Sequence, residues 1–459
     1  MYRHYTFLHI KRILLYNYNI MHLFKTNRIN MVVCLHYYLF LVRKKNNCHK
    51  RNIKAILLFA SCSSLKQKTM FKRILKITGI TLLVIIGLFA IWLRFFVSEY
   101  EELKSSTVFE HRQSISTDGA YVLYEKDSLR LISVEEISDD FEIHDERFSK
   151  VEYEEEFTVN AYNYDNPSEI SFIVNLMDSL SVPQSIYHKP DKIFTTSDIE
   201  GNFYAFHKLL RANGIIDRNS NWTFGNGHLV LVGDFVDRGL NVTQCLWLIY
   251  KLEKQASNYG GCVHFILGNH ELLNLKGKNY HVRSKYKNLA SKLDLDYTKD
   301  FYGINSELGR WLRTKNTIEK IGDFLFVHGG ISQDLINLNL SIIEINQIVR
   351  NNIDSLNYTD SISKIIHGGT GPLNDRGFGH GQSAATPMVI NNVKEYFNVS
   401  TIIIGHSTVH DIEQEYDNSL INVDVHFPHK DTDTNRGKGL LIELDNRFKV
   451  DDIGNKEKI

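Results

Sequence analysis

The sequence predicts an α/β fold that follows a single transmembrane helix. Beyond Asp191, short apolar runs each end in a cluster of polar residues, and helical stretches separate the first of these runs. Residues 77–93 form one uncharged apolar segment of helix length. The chain has 459 residues, which suits one large catalytic domain with additions.

The apolar segment, residues 77–93, reads ITGITLLVIIGLFAIWL, and extension through Val97 brings it to about 20 residues, enough to cross a bilayer. No small-residue cleavage site follows it, which favours an uncleaved anchor over a cleaved signal peptide or a buried core helix. Three basic residues precede the segment and one follows it. This asymmetry predicts a single-pass membrane protein with an extracytoplasmic catalytic domain, periplasmic in a bacterium.

Charge divides the chain into two parts. Residues 1–98 contain 17 Lys or Arg and no Asp or Glu, which leaves 36 basic and 53 acidic residues in the remainder. An acidic domain binds nucleic acid poorly, so we expect no nucleic-acid partner. The predicted division is a doubtful basic extension (1–69), a signal anchor (70–98), a β-rich accessory region (99–190) and a catalytic domain (191–459).

The doubtful extension has no sustained apolar periodicity, and Met70 begins a charged and then apolar stretch typical of an export signal. We therefore hypothesise that translation starts at Met70. Amino-terminal sequencing of the native protein tests this, because residues before Met70 in the mature chain would contradict it.

Five apolar runs in the catalytic domain end in residues that bind metals. Functional groups collect at the carboxyl ends of strands in α/β sheets. Any one of these residues alone is more often a turn former or a surface group. Together they match the oxygen and imidazole ligands of two divalent ions that share a carboxylate. The residues are Asp198, Asp234, Asn269, His328 and His406.

Three motifs carry a resemblance to a known family. They are GDFVDRG (Gly233–Gly239), GNHE (Gly268–Glu271) and HGG (His328–Gly330). With them the chain resembles the calcineurin-like metallophosphoesterases of the phosphoprotein phosphatase superfamily. Residues 308–332 look most similar to the bacterial Shewanella-like protein phosphatases. The resemblance covers about 191–444 and implies a two-sheet sandwich flanked by helices.

The resemblance also implies roles for single residues. Asp198 and Asp234 would bind a first metal, and Asp234 would bridge to a second. His270 would protonate the leaving oxygen while Asp237 orients it, and Arg238 and Arg376 would bind phosphate. Manganese is favoured for both sites, with iron, magnesium or zinc as alternatives. The second metal would be held by Asp234, Asn269, His328 and His406.

Glu200 departs from the family pattern, because it stands where the first motif, Asp-x-His, normally has a histidine. Either Glu200 is a carboxylate ligand of the first metal, or it points away and leaves a weak first site. Thr408 stands where many phosphodiesterases of the wider superfamily have a second histidine, which favours the phosphoprotein phosphatase pattern.

The predicted function is metal-dependent hydrolysis of phosphomonoesters by a protein phosphatase-like enzyme acting on Ser/Thr or Tyr. Its substrate would be a phosphoprotein or a small phosphomonoester. One alternative is hydrolysis of nucleotides or dinucleoside polyphosphates. Another, from a different class, is a membrane-tethered protein that binds phosphorylated ligands through an impaired first metal site.

Overall fold

The structure is a computed structural model that describes residues 115–137, 140–149, 156–163, 168–379, 385–427 and 436–459. Within these residues, no helix is both long enough and apolar enough to span a bilayer. The predicted extension (1–69) and signal anchor (70–98) lie outside the described residues, and both stay predictions.

Strands and helices are mixed through the predicted catalytic domain, and strands alone precede it among the described residues. The strands are β1 (Asp118–Tyr124), β2 (Ser128–Ile137), β3 (Asp140–Ser149), β4 (Glu156–Asn163), β5 (Ser168–Asn175), β6 (Ile186–Tyr187), β7 (Lys192–Thr196), β8 (His228–Leu231), β9 (Cys262–Phe265), β10 (Ile318–Ile321), β11 (Phe324–Val327), β12 (Thr401–Ile404), β13 (Glu413–Glu415), β14 (Leu420–Asn422), β15 (Lys438–Glu443), β16 (Asn446–Asp451) and β17 (Lys456–Lys458). The helices are α1 (Phe203–Ala212), α2 (Val242–Ser257), α3 (Asn269–Leu275), α4 (Ser284–Lys292), α5 (Tyr297–Phe301), α6 (Glu307–Thr314), α7 (Gln333–Asn337), α8 (Ile342–Asn351), α9 (Ser361–Ile366) and α10 (Pro387–Phe397).

Two six-stranded sheets form the centre of the fold. One has the order β17-β16-β15-β7-β8-β9 and the other β13-β14-β12-β11-β10-β6. Ile193 and Val230 of the first sheet share a buried cluster with Phe326 and Ile403 of the second. The alternate residues of the first sheet, such as Phe194, belong to the larger core that contains the helices. The predicted α/β fold is therefore confirmed, and its sheets pack as a sandwich.

The strands β1–β5 lie within the region predicted to be β-rich. They form a three-stranded antiparallel sheet, β1-β2-β3, and a hairpin, β4-β5. Their core is continuous with that of α2, since the Trp247 indole donates a hydrogen bond to the Ala120 carbonyl (2.6 Å). The Phe157 ring packs edge-on against Trp247 at 4.8 Å between centroids. These strands thus pack against α2, the helix that follows the GDFVDRG motif.

Parallel pairing places the motifs at one edge of each sheet. The strand β8 is parallel to both of its neighbours, β7 and β9, and β12 is parallel to both β11 and β14. Because parallel strands end at the same side, the residues that follow these strands meet at one edge of the sandwich.

Candidate active site

The structure brings the five strand-end residues together. Ligand atoms of Asp234, His328 and His406 all lie within 4.8 Å of one another, and all three residues are buried. The His328 Nε2 atom is 3.2 Å from Asp234 Oδ2 and 3.1 Å from Asn269 Oδ1. Asp198 joins this group through its Oδ2, which accepts the backbone N–H of His406 (3.1 Å).

The backbone at the site is held in an unusual conformation. Asp198, Asp234 and His406 have φ angles of 52°, 58° and 64°, in the left-handed region that L-residues rarely adopt. Such residues cost free energy and cluster at functional sites. Gly268 is required for space, since a Cβ there would lie 2.1 Å from Asp234 Oδ1. The loops therefore approach one another more closely than ordinary side chains would allow.

Glu271, the last residue of GNHE, fixes the loop that carries Asp234. Its buried carboxylate accepts backbone N–H groups from Asp234 (2.9 Å), Phe235 (2.7 Å), Val236 (3.3 Å) and Gly268 (2.8 Å). One side chain thus sets the relative position of the two loops. The GNHE motif already contained Glu271, but its role as a hydrogen-bond acceptor for the neighbouring loop was not predicted.

We expect Glu271→Ala to lower the free energy of unfolding by about 3 kcal/mol or more, because it leaves several buried N–H donors without an acceptor. Urea unfolding followed by circular dichroism measures this. Glu395→Ala, at an exposed position of α10, serves as the control and should change stability very little. Equal stability of the two variants would contradict the role given to Glu271.

The charges in the cluster fit a site for divalent cations. Burial and the nearby Asp424 raise the pKa of Asp198 well above its usual value. Burial alone would lower the pKa of His328, but Asp234 and Asp198 raise it to about 10. Buried carboxylates this close repel one another, and a divalent cation removes that cost. The oxygen and imidazole donors suit manganese, iron, zinc or magnesium.

Asp424 is a site residue that the sequence analysis missed. It follows β14, is 2% exposed and accepts a hydrogen bond from the Thr408 hydroxyl (3.1 Å). Burial raises its pKa to about 7, and charges of Glu200 and Asp234 contribute. It is one more residue behind a buried strand, but a strand of three residues is a weak signal in the sequence.

His270 and Asp237 form a buried pair beside the cluster. His270 Nδ1 is 2.7 Å from Asp237 Oδ2, and His270 Nε2 is 3.9 Å from Asp234 Oδ2. Asn274, one turn along α3, donates to Asp237 Oδ1 (2.9 Å) and was not predicted. Burial by itself would lower the pKa of His270, but the hydrogen bond to Asp237 and the charge of Asp234 raise it to about 9.

The two predicted arginines flank the cluster on different loops. Arg376 donates from Nη1 to the His406 carbonyl (2.6 Å), so it stands next to a predicted ligand. Arg238 is 47% exposed at its side chain and forms an ion pair with Glu200. Among the described residues, the group with ligand atoms within 4.8 Å does not include Glu200.

Comparisons with known proteins agree with this geometry. The model of the calcineurin-like phosphoesterases matches residues 192–410. A structure of a cold-active protein-tyrosine phosphatase from a psychrophilic Shewanella sp. is 29% identical, with a TM-score of 0.64 over 75% of this chain and 99% of that one. A point mutant of a cold-active protein tyrosine phosphatase is 30% identical, with a TM-score of 0.65 over the same shares. The chain belongs to the calcineurin-like phosphoesterases.

Two curated relatives carry the name of the predicted branch. Shewanella-like protein phosphatase 2 of Arabidopsis thaliana is 27% identical over 208 residues, 36% of this chain and 53% of that protein. Shewanella-like protein phosphatase 1 of Plasmodium berghei is 31% identical over 187 residues, 39% of this chain and 51% of that protein. The chain thus spans about half the length of these relatives. The resemblance predicted from the motifs is confirmed.

Proposed function

We propose that this protein is a metal-dependent phosphomonoester hydrolase of the protein phosphatase type. One observation carries the proposal. A buried cluster of Asp234, His328 and His406 lies beside a histidine, His270, that is itself hydrogen-bonded to a carboxylate. Family membership supports the same chemistry. Purified full-length protein should hydrolyse p-nitrophenyl phosphate after addition of manganese and lose this activity with a chelator. Inactivity under both conditions would overturn the proposal.

Each predicted ligand has a place in the proposal. Asp198 and Asp234 would hold the first metal, with Asp234 shared between the two. Divalent ions, when bound, polarise phosphate oxygens and lower the pKa of water toward neutrality. Manganese is the ion we propose first, because the first site is rich in carboxylates. The second metal would be held by Asp234, Asn269, His328 and His406.

The remaining residues act on the substrate. Arg238 and Arg376 would bind phosphate oxygens, for which the planar guanidinium is well suited. His270 would donate a proton to the leaving oxygen from Nε2, because its Nδ1 faces Asp237. Asp237 would keep His270 oriented and charged, and Asn274 holds the other oxygen of Asp237.

The substrate class is a separate part of the proposal. The matched solved structures are named protein tyrosine phosphatases, which favours phosphotyrosine over phosphoserine and phosphothreonine. The alternative, hydrolysis of nucleotides or dinucleoside polyphosphates, uses the same groups. Assays with manganese on phosphopeptides and on nucleotides separate the two, since a higher kcat/KM for nucleotides would exclude the protein phosphatase assignment.

The ion pair between Glu200 and Arg238 favours a second candidate, a binding protein with an impaired first metal site. Because the Glu200 carboxylate pairs with Arg238, it is less available as a ligand of the first metal. In that case the protein would bind phosphorylated ligands and carry one metal ion or fewer. Metal analysis and the p-nitrophenyl phosphate assay decide between the candidates.

We expect Glu200→His to reduce activity, because it removes both a potential carboxylate ligand and the partner of Arg238. The measurement is kcat/KM together with metal content, with Glu200→Gln as the variant of equal size. A marked increase in activity or metal occupancy in Glu200→His would instead identify the natural site as a weakened one.

From the sequence we also propose that the protein is a single-pass membrane protein with the catalytic domain on the extracytoplasmic side. The apolar segment, residues 77–93, and its basic flank support this. Membrane fractionation with protease protection tests it. Recovery of the intact chain in the soluble fraction would contradict it.

A further inference from the structure

The loop between α3 and α4, residues 276–283, borders the site and has no role in the proposal above. It follows α3, the helix that begins with Asn269 and His270. Tyr280 is 73% exposed, more than any other large apolar residue that the structure describes. The loop therefore presents ring side chains to solvent beside the site.

His281 is the residue of this loop that reaches the catalytic groups. Its exposed imidazole lies against the ring of His270, with 4.9 Å between the centroids and 48° between the planes. Asp237 contacts the Nδ1 edge of the same His270 ring (2.7 Å). His281 thus forms the solvent-facing neighbour of the proposed proton donor.

Hydrogen bonds fix the position of His281. The backbone N–H of Arg238 donates to the His281 carbonyl (3.1 Å), and the Arg283 Nε donates to the Arg238 carbonyl. Val282, between them, is 5% exposed and belongs to the core. The backbone of the loop is therefore anchored to the segment that carries Arg238, which keeps His281 close to the predicted phosphate-binding residue.

We propose that His281 is a specificity residue whose ring contacts the leaving group of the substrate and favours an aromatic one. The inference rests on the proposed function, because the leaving oxygen must lie next to His270. The carbon atoms attached to that oxygen then extend toward solvent past His281. A phenyl ring can stack there, whereas the single methylene of phosphoserine cannot.

The test compares two peptides that differ only in phosphotyrosine or phosphoserine. For full-length protein with manganese, we expect His281→Ala to lower the ratio of the two kcat/KM values by about 3- to 10-fold, the contribution of one aromatic contact. His281→Phe should leave the ratio of the two kcat/KM values unchanged, because a phenyl ring can stack like an imidazole although it lacks the nitrogen atoms. The ratio is the readout, since any disturbance of His270 affects both peptides.

Tyr259→Ala is the matched control. Tyr259 is 62% exposed but lies between α2 and β9, at the opposite edge of the sheet. It should leave both kcat/KM values unchanged. An unchanged ratio in His281→Ala, or an equal fall in His281→Phe, would overturn the inference.

Failure of the proposed function gives a different result. If the wild-type protein hydrolyses neither peptide, the same variants are compared by fluorescence anisotropy for binding of the two peptides. A selective loss of phosphotyrosine binding in His281→Ala supports the inference even then. Equal binding of the two peptides by the wild-type protein, or no binding of either, overturns it.

Discussion

Asp234→Asn is expected to lower kcat for p-nitrophenyl phosphate by about 10³-fold, since it weakens the hold on both proposed metal ions, which would supply several kcal/mol of transition-state stabilisation. Asp234 occupies the centre of the cluster: its carboxylate contacts His328, approaches His270 and accepts the backbone N–H of His270 (2.9 Å). Burial by itself would raise the pKa of Asp234, but the charges and hydrogen bonds of His328 and His270 hold it well below the usual range. No neutral side chain reproduces this.

Metal analysis by mass spectrometry gives a second readout, because Asp234→Asn should also lower the number of bound ions. Asp334→Asn, at an exposed position in α7, controls for the loss of a carboxylate elsewhere. Full activity with an unchanged metal content in Asp234→Asn would show that Asp234 is not a metal ligand.

The second large effect is expected for His270→Ala, which should reduce kcat by about 10²- to 10⁴-fold, the usual contribution of a general acid. The loss should be smaller for p-nitrophenyl phosphate than for phenyl phosphate, because p-nitrophenolate leaves without protonation. His410→Gln, at an exposed histidine, is the control. A loss of equal size for both substrates would contradict the role of proton donor.

The pH profile tests the partner of His270. The proposed mechanism needs His270 protonated, and Asp237 is one of the groups that raise its pKa to about 9. In Asp237→Asn that pKa falls, so the protonated fraction decreases above it and the alkaline limb of kcat/KM should move to lower pH. An alkaline limb at the wild-type position would show that another group controls it.

The strand-end criterion found Asp198, Asp234 and His406 because a buried strand in this fold is a distinct apolar run. It missed Asp424, whose strand β14 has only three residues and gives a weak signal. The roles of Glu271 and Asn274 were also not predicted, because a hydrogen-bond acceptor for a distant loop has no signature in one sequence. The pairing of Glu200 with Arg238 joins positions 38 residues apart and depends on two left-handed turns.

The left-handed backbone at Asp198, Asp234 and His406 makes the site a local weakness of the fold. Each of these positions costs about 1 kcal/mol relative to glycine, which adopts this conformation freely. Glycine substitution would therefore relieve backbone strain at the same positions where it deletes a ligand. The side chains of the proposed metal centre are thus retained at a local cost in backbone free energy.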